Sequence, residues 1–160
     1  MLKKVVSGGQ TGADRAALKW ALSAGIECGG WCPAGRHSED GDIDGKYPLI
    51  ETPSADYAQR TEWNVRDSDA TLLVSRSSKI VGGTALTKTF ASRWNRPCLH
   101  IHEGSREASE RLICFIDENR VETLNVAGPR RTTESGIEDF LTQFLENTLN
   151  PSSRANRAMD

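Results

Sequence analysis

Leu2-Lys3-Lys4-Val5-Val6-Ser7-Gly8-Gly9-Gln10-Thr11-Gly12 decides how the rest of the chain is read. A short β-branched run stops at a glycine pair. From residue 11 to 24 the pattern is helical, with Leu18 and Leu22, and Ala17, Ala21 and Ala24, three or four residues apart. Gly25 ends that helix. The alternation then repeats. Residues 26–31 make a weak second strand interrupted by Gly29 and Gly30, and Ser54, Ala55 and Asp56 start a helix over residues 57–65. Residues 70–75 (ATLLVS) form a buried strand, and Gly82-Gly83-Thr84 opens a helix whose Leu86, Phe90 and Trp94 recur every four residues. Residues 97–101 are a strand, and Ser105 caps a helix carrying Ala108, Leu112, Phe115 and Ile116. Residues 121–127 are the fifth strand, and residues 134–149 the last helix, with Ile137, Phe140, Leu141, Phe144 and Leu145 on one face. Near-continuously apolar strands separated by helices call for a parallel sheet covered on both faces. The expected architecture is a three-layer α/β/α Rossmann-like domain, its mostly parallel sheet having about five strands. It spans residues 1–149 as one unit, and residues 150–160 form a disordered tail.

Composition narrows the function. With 160 residues, 37% hydrophobic and 26% charged, the chain is long enough to bury one core without disulfides or a metal. Twenty Lys and Arg against 22 Asp and Glu leave a formal charge of −2, which disfavours general nucleic-acid binding through bulk charge. No apolar run reaches membrane-span length, and the N-terminus has no signal-peptide pattern, so a cytoplasmic protein is expected. Cys28, Cys32, Cys98 and Cys114 then read as reduced thiols, and no Cys/His spacing completes a zinc set.

In a parallel sheet of this kind ligands bind beyond the carboxyl ends of the strands, where the strand order reverses. Three glycine turns fall there: residues 7–12, residues 81–84, and residues 126–130. If the first crossover runs one way and the later ones the other, the first and third strands are neighbours and their turns share one crevice. Glycines let the backbone approach a ligand, and each following helix offers unpaired N–H groups to an anion. The expected ligand contacts are Gly8, Gly9, Gln10, Thr11, Gly12, Asp14, Arg15, Arg60, Asn64, Gly82, Gly83, Thr84, Gly128 and Arg130. Arg15 and Arg130 can fork onto phosphate or carboxylate oxygens. Asp14 has three open roles: a pair with Arg15, a helix cap, or a partner for a Mg2+-bound water. Arg60 and Asn64 lie on one face of a polar helix that either points into the crevice or is simply solvated, with Glu62 and Arg66 as an i,i+4 pair. The stretch between Cys32 and Pro53, carrying Arg36, His37, Glu39, Asp40, Asp42 and Asp44, is a lid, a solvated excursion or an oligomer contact. No G-x-G-x-x-G or Walker A loop is present, and neither a nucleophile elbow nor the histidines support a hydrolytic triad.

Taken together, Ser7-Gly8-Gly9-Gln10-Thr11-Gly12-Ala13-Asp14-Arg15, Gly29-Gly30-Trp31-Cys32-Pro33-Ala34-Gly35-Arg36, Arg60-Thr61-Glu62-Trp63-Asn64-Val65, Gly82-Gly83-Thr84 and Leu124-Asn125-Val126-Ala127-Gly128-Pro129 resemble the putative molybdenum carrier family over nearly the whole chain up to Leu149. That family is similar in fold to the lysine-decarboxylase-like (LONELY GUY) proteins. The resemblance implies a phosphate-containing small molecule as ligand, either the molybdenum cofactor or a nucleotide, and a homo-oligomer. It leaves open a second reading, an enzyme acting on a nucleotide in the manner of the phosphoribohydrolases, with Glu62 or Asp14 as the catalytic candidates. Those hydrolases carry P-G-G-x-G-T-x-x-E, whereas here Thr87 stands where the acid would fall, which weakens hydrolysis and leaves binding intact.

Overall fold

The computed structural model describes residues 1–150, so the expected tail lies, apart from Asn150, outside the described residues. The elements in chain order are β1 (Lys4–Val6), α1 (Ala13–Ala24), β2 (Glu27–Gly29), β3 (Trp31–Cys32), β4 (His37–Ser38), β5 (Gly41–Asp42) and β6 (Ile50–Glu51). They continue with α2 (Tyr57–Arg66), β7 (Ala70–Ser75), α3 (Gly82–Arg93), β8 (Cys98–His102), α4 (Ala108–Glu118), β9 (Thr123–Ala127) and α5 (Ile137–Leu149). Five of the strands form a parallel sheet in the order β2-β1-β9-β7-β8. Helix α5 packs between α1 and α4 on one side, and α2 packs on α3 on the other. The result is the three-layer Rossmann-like arrangement.

One expected neighbour relation is corrected. β1 and β7 do not touch, because β9 lies between them, with Val5 opposite Leu124 and Leu72 opposite Val126. The chain leaves the sheet centre after β1, builds both wings, and returns last to fill the gap. A slot buried on both faces takes the most continuously apolar strands, and all six residues of β7 are buried, as are Leu124, Asn125 and Val126 of β9. All three glycine turns therefore emerge side by side from the middle of the sheet.

The interrupted second strand becomes two. At Gly30 the backbone takes φ +123°, which an L side chain resists, and the chain swings from β2 in the main sheet to β3, which pairs with β6. The stretch between Cys32 and Pro53 holds that pair and the β4–β5 hairpin. It is no solvated excursion, since Ile43, Tyr47 and Leu49 are buried in the main core. Arg36 organises it, donating to the carbonyls of Ile43, Asp44, Tyr47 and Leu49. Two further expectations change. Ser105 does not cap α4; its hydroxyl accepts from the His102 N–H, and α4 starts after a left-handed Glu107. In α3 only Phe90 of the four-residue series is buried, and Leu86 and Trp94 stay exposed. Among the described residues no helix is long and apolar enough to cross a membrane.

Candidate functional site

The turns after β1, β7 and β9 enclose a cavity of about 250 Å3 at the carboxyl edge of the sheet. Gln10 and Asp14 come from the first turn and Arg60 and Thr61 from α2. Residues 79–84 and Thr87 form the α3 wall, residues 127–130 the third turn, and Thr133 and Glu134 the segment beyond it. The residues carrying the cavity thus come from parts of the chain more than 100 positions apart, as the glycine turns suggested.

The two helix N-termini that border it are differently furnished. The start of α1 is neutralised by the protein's own side chains. Asp14 accepts from the Gln10 N–H (3.2 Å), the Gln10 side-chain carbonyl from the Thr11 N–H (3.0 Å), and Glu138 from the Gly12 N–H (2.8 Å). The Ala13 N–H is taken by the carbonyl of Pro129. α3 begins at an extended Val81 with no side-chain cap and no acidic residue in its first turn. β-carbons placed on Gly82 and Gly83 would meet nothing within 4 Å. The first N–H groups of a helix have no partner within it, so those of α3 present a bare positive end at the cavity wall.

The floor is made by a buried pair. Arg60 reaches across Gly8, where any β-carbon would collide with its guanidinium, and its Nη1 lies 3.3 Å from Asp14 Oδ2. Arg60 Nε and Gln10 Nε2 are buried and have no hydrogen-bond partner. The Gln10 side-chain carbonyl is used twice, by the N–H groups of Thr11 and Glu39, which fixes the amide and leaves its NH2 idle. Burial raises the Asp14 carboxyl above its ordinary value, against the opposing pull of Arg60. At the rim Arg130 is more than a third exposed and has Glu39 at 3.8 Å as its ion partner. The guanidinium carbons of Arg60 and Arg130 each lie 5.5 Å from the centre of the Tyr57 ring.

Of the expected contacts, Gln10, Asp14, Arg60, Gly82, Gly83, Thr84, Gly128 and Arg130 line the cavity. Gly8 lies beneath Arg60, and Gly9, whose β-carbon would strike Leu49 and Ile43, packs on the core. Gly12 faces the backbone of Pro129 and Arg130, and the Thr11 hydroxyl bonds Glu39. Arg15 turns away to bind Asp40, Ser38 and the Gly9 carbonyl, so it fastens the β4–β5 hairpin and forms no pair with Asp14. Asn64 clamps both the N–H and the carbonyl of Trp31. Glu62 is bonded to Trp94 and Arg93 across the α2–α3 contact, and Arg66 pairs with Asp67, so the expected Glu62–Arg66 pair is replaced. Of the two catalytic candidates only Asp14 borders the cavity. Lys79, Thr61, Thr133 and Glu134 were not anticipated. Lys79 stands two positions ahead of a glycine turn and was legible, whereas Glu134 is brought in by folding and holds the N–H groups of Arg76 and Ser77.

Neither cysteine nor histidine lines the cavity, and among the described residues no group of three or more His, Cys, Asp and Glu side chains is gathered as a metal site would require. The lining offers nitrogen and hydroxyl donors and no soft ligand to a metal.

The model of the circularly permutated YpsA SLOG family matches residues 5–149. In fold the chain is similar to the crystal structure of a putative molybdenum carrier protein from Syntrophus aciditrophicus SB. The sequences are 42% identical over 92% of this chain and 95% of that one, with a TM-score of 0.88. No curated protein matches.

Proposed function

From the premise that this chain belongs to the circularly permutated YpsA SLOG family, we propose that it binds a phosphate-containing small molecule in the crevice at the carboxyl ends of β1, β9 and β7. The ligand class is a nucleotide or, following the name of the similar protein, the phosphate end of the molybdenum cofactor. One observation carries the reading: the bare N-terminus of α3 opens on a cavity whose lining also includes Gln10 and the guanidinium-bearing residues Arg60 and Arg130. The uncapped first N–H groups of α3 and the exposed Arg130 guanidinium can donate to phosphate oxygens, and the α3 dipole favours their charge. Gly82 and Gly83 admit the close approach, and Arg60 offsets charge from below. Asp14 and Glu134 are the acidic members of the lining, and each is already engaged, Asp14 by Arg60 and Glu134 by backbone N–H groups.

The test is thermal unfolding with a panel of nucleoside monophosphates, molybdopterin and molybdate. A ligand present at 100 times its Kd stabilises the fold by about 2.7 kcal/mol. The expected result is a rise in Tm with a phosphate compound that disappears in Gly83→Val; no rise with any of them overturns the proposal.

Turnover of a nucleotide is the second reading, favoured by the buried, raised carboxyl of Asp14 at the cavity floor. Glu62, the other candidate, is outside the cavity lining and bonded to Arg93 and Trp94. Release of free base from a nucleoside monophosphate, abolished in Asp14→Asn, would establish an enzyme. Self-association belongs to the proposal as well. Leu86 on α3 and Trp94 at its C-terminal cap are exposed apolar side chains, and light scattering of the native protein should give a mass above that of one chain.

A further inference from the structure

The donors around this cavity are strung out from floor to rim. At the floor are Arg60 and Gln10, both in the cavity lining and the latter only 5% exposed. The open end of α3 forms the wall. At the rim stands Arg130, more than a third exposed. A single phosphate placed against α3 and the floor leaves Arg130 unused. Both guanidiniums flank one ring, Tyr57, each 5.5 Å from its centre, so the two cations are separated by at most twice that distance. They are near enough for two linked anionic groups to meet both. The ion partner of Arg130 is Glu39 at 3.8 Å, too long for a hydrogen bond, and Glu39 has Thr11 and Thr132 to hold it in place. Arg130 is therefore available to a ligand at little cost to the hairpin.

We propose that the ligand carries two linked phosphate groups, as in a nucleoside diphosphate or a dinucleotide, the inner one seated between Gln10, Arg60 and the start of α3, and the outer one held by Arg130 beside Tyr57. This rests on the phosphate-binding reading above and narrows its ligand class. Arg130 then sets specificity by ligand length, and the preference falls steeply with added salt because the rim is solvent-exposed.

Calorimetric titration with AMP, ADP, inorganic phosphate and inorganic pyrophosphate, in the presence of a chelator, tests it on the native chain and on Arg130→Gln and Arg130→Lys. A charge-assisted bond is worth about a factor of ten or more in affinity. The expected result is that ADP exceeds AMP, and pyrophosphate exceeds phosphate, by about tenfold. In Arg130→Gln that ratio collapses toward one, and in Arg130→Lys it is partly restored. Equal affinity for AMP and ADP in the native protein overturns the two-phosphate ligand and leaves the single-phosphate reading standing. A preference that survives in Arg130→Gln also overturns it, since the outer group then sits elsewhere. Absence of binding by all four probes overturns this inference, and the phosphate reading falls with it only if the nucleoside monophosphates and molybdopterin also leave the Tm unchanged. Arg130 lies at the surface, so unchanged melting of the unliganded variants separates lost contact from lost folding.

Discussion

The turn after β1 and the turn before α3 look alike in sequence, a glycine pair between a strand and a helix, yet the fold uses them in opposite ways. The N-terminus of α1 is closed by Asp14, Glu138 and the Gln10 side chain, and the β4–β5 hairpin lies across it through Glu39 and Asp40. The N-terminus of α3 has no cap, no acid and open space above its glycines. Glycine in the first turn is needed for packing, and glycine in the second leaves room. A positive helix end attracts an anion, and the first end has been given carboxylates by the chain itself. Only the second is left for something from outside.

The largest effects should fall on the self-capped side. Gly12 has φ +81°, and a β-carbon there would collide with the backbone of Pro129 and Arg130, neither of which can move alone. Gly12→Ala therefore combines left-handed strain with a clash at the sheet centre, and should destabilise by about 3 kcal/mol or more. Urea unfolding of the pure protein checks this; a loss below about 1 kcal/mol would mean that the first turn is as roomy as the second.

Next comes the pair that joins the two regions. Asp14→Ala leaves Arg60 beneath the cavity without its carboxylate. Breaking a fully buried pair costs 3–5 kcal/mol, and because the cavity admits solvent to Arg60 the expected loss here is about 2 kcal/mol. The raised Asp14 carboxyl adds a pH signature. Burial penalises the ionised form, so the native chain is relieved of that penalty as pH falls below the ordinary carboxylate range, and meets it in full once pH rises past the raised folded value. The stability gap between native and Asp14→Asn should therefore vary with pH, whereas a flat gap would show that Asp14 is as well solvated folded as unfolded.

How much of this was legible in the sequence follows the same division. The strand–helix alternation rests on local periodicity, and the sheet, its parallel sense and the convergence of the three turns follow from it. The position of β9 between β1 and β7 does not, because it is made by the return of the chain from the far wing, which no local pattern records. At the site, Gln10 and residues 82–84 could be picked out because they stand in glycine turns at strand ends, whereas the polar face carrying Arg60 on α2 could not be told from a solvated one. Arg15 was misplaced because an arginine in the first turn of α1 reads the same whether it points at the cavity or at Asp40, 25 residues away. Nor could any local pattern reveal that Glu138 would cap α1 from 126 residues away. The fates of the two glycine turns are decided by such distant carboxylates.

Gly83 gives the counterpart to Gly12. Its φ is outside the left-handed region, and an added β-carbon meets nothing within 4 Å. Gly83→Ala should leave stability unchanged or raise it by less than about 1 kcal/mol, since alanine is the better helix former. The methyl group would stand where a phosphate approaches α3, so ligand-induced stabilisation should shrink while the unliganded Tm holds. A large fall in the unliganded Tm would erase the contrast between the turns.

The smallest effect concerns the hairpin that covers the α1 side. Hydrogen bonds from Arg15 and then Ser38 hold the Asp40 carboxyl down at about 2, against an ordinary 3.8. A lowered carboxyl contributes stability that is present in full above its unfolded value and is lost as pH falls toward the folded one. The window therefore runs from about pH 4 down to about pH 2. Because the Asp40 side chain is 36% exposed, the contribution is no more than about 1 kcal/mol after solvent screening. Native protein and Asp40→Asn, compared by urea unfolding at pH 6 and near pH 2.5, should differ at the first pH and converge at the second. Ligand binding by α3 at neutral pH should be the same in both, since Asp40 serves the closed helix end and the open one has no acid to lose. A gap that stays constant with pH would remove Asp40 from the closure of α1. A change in phosphate affinity at neutral pH would show that the hairpin reaches the open side too.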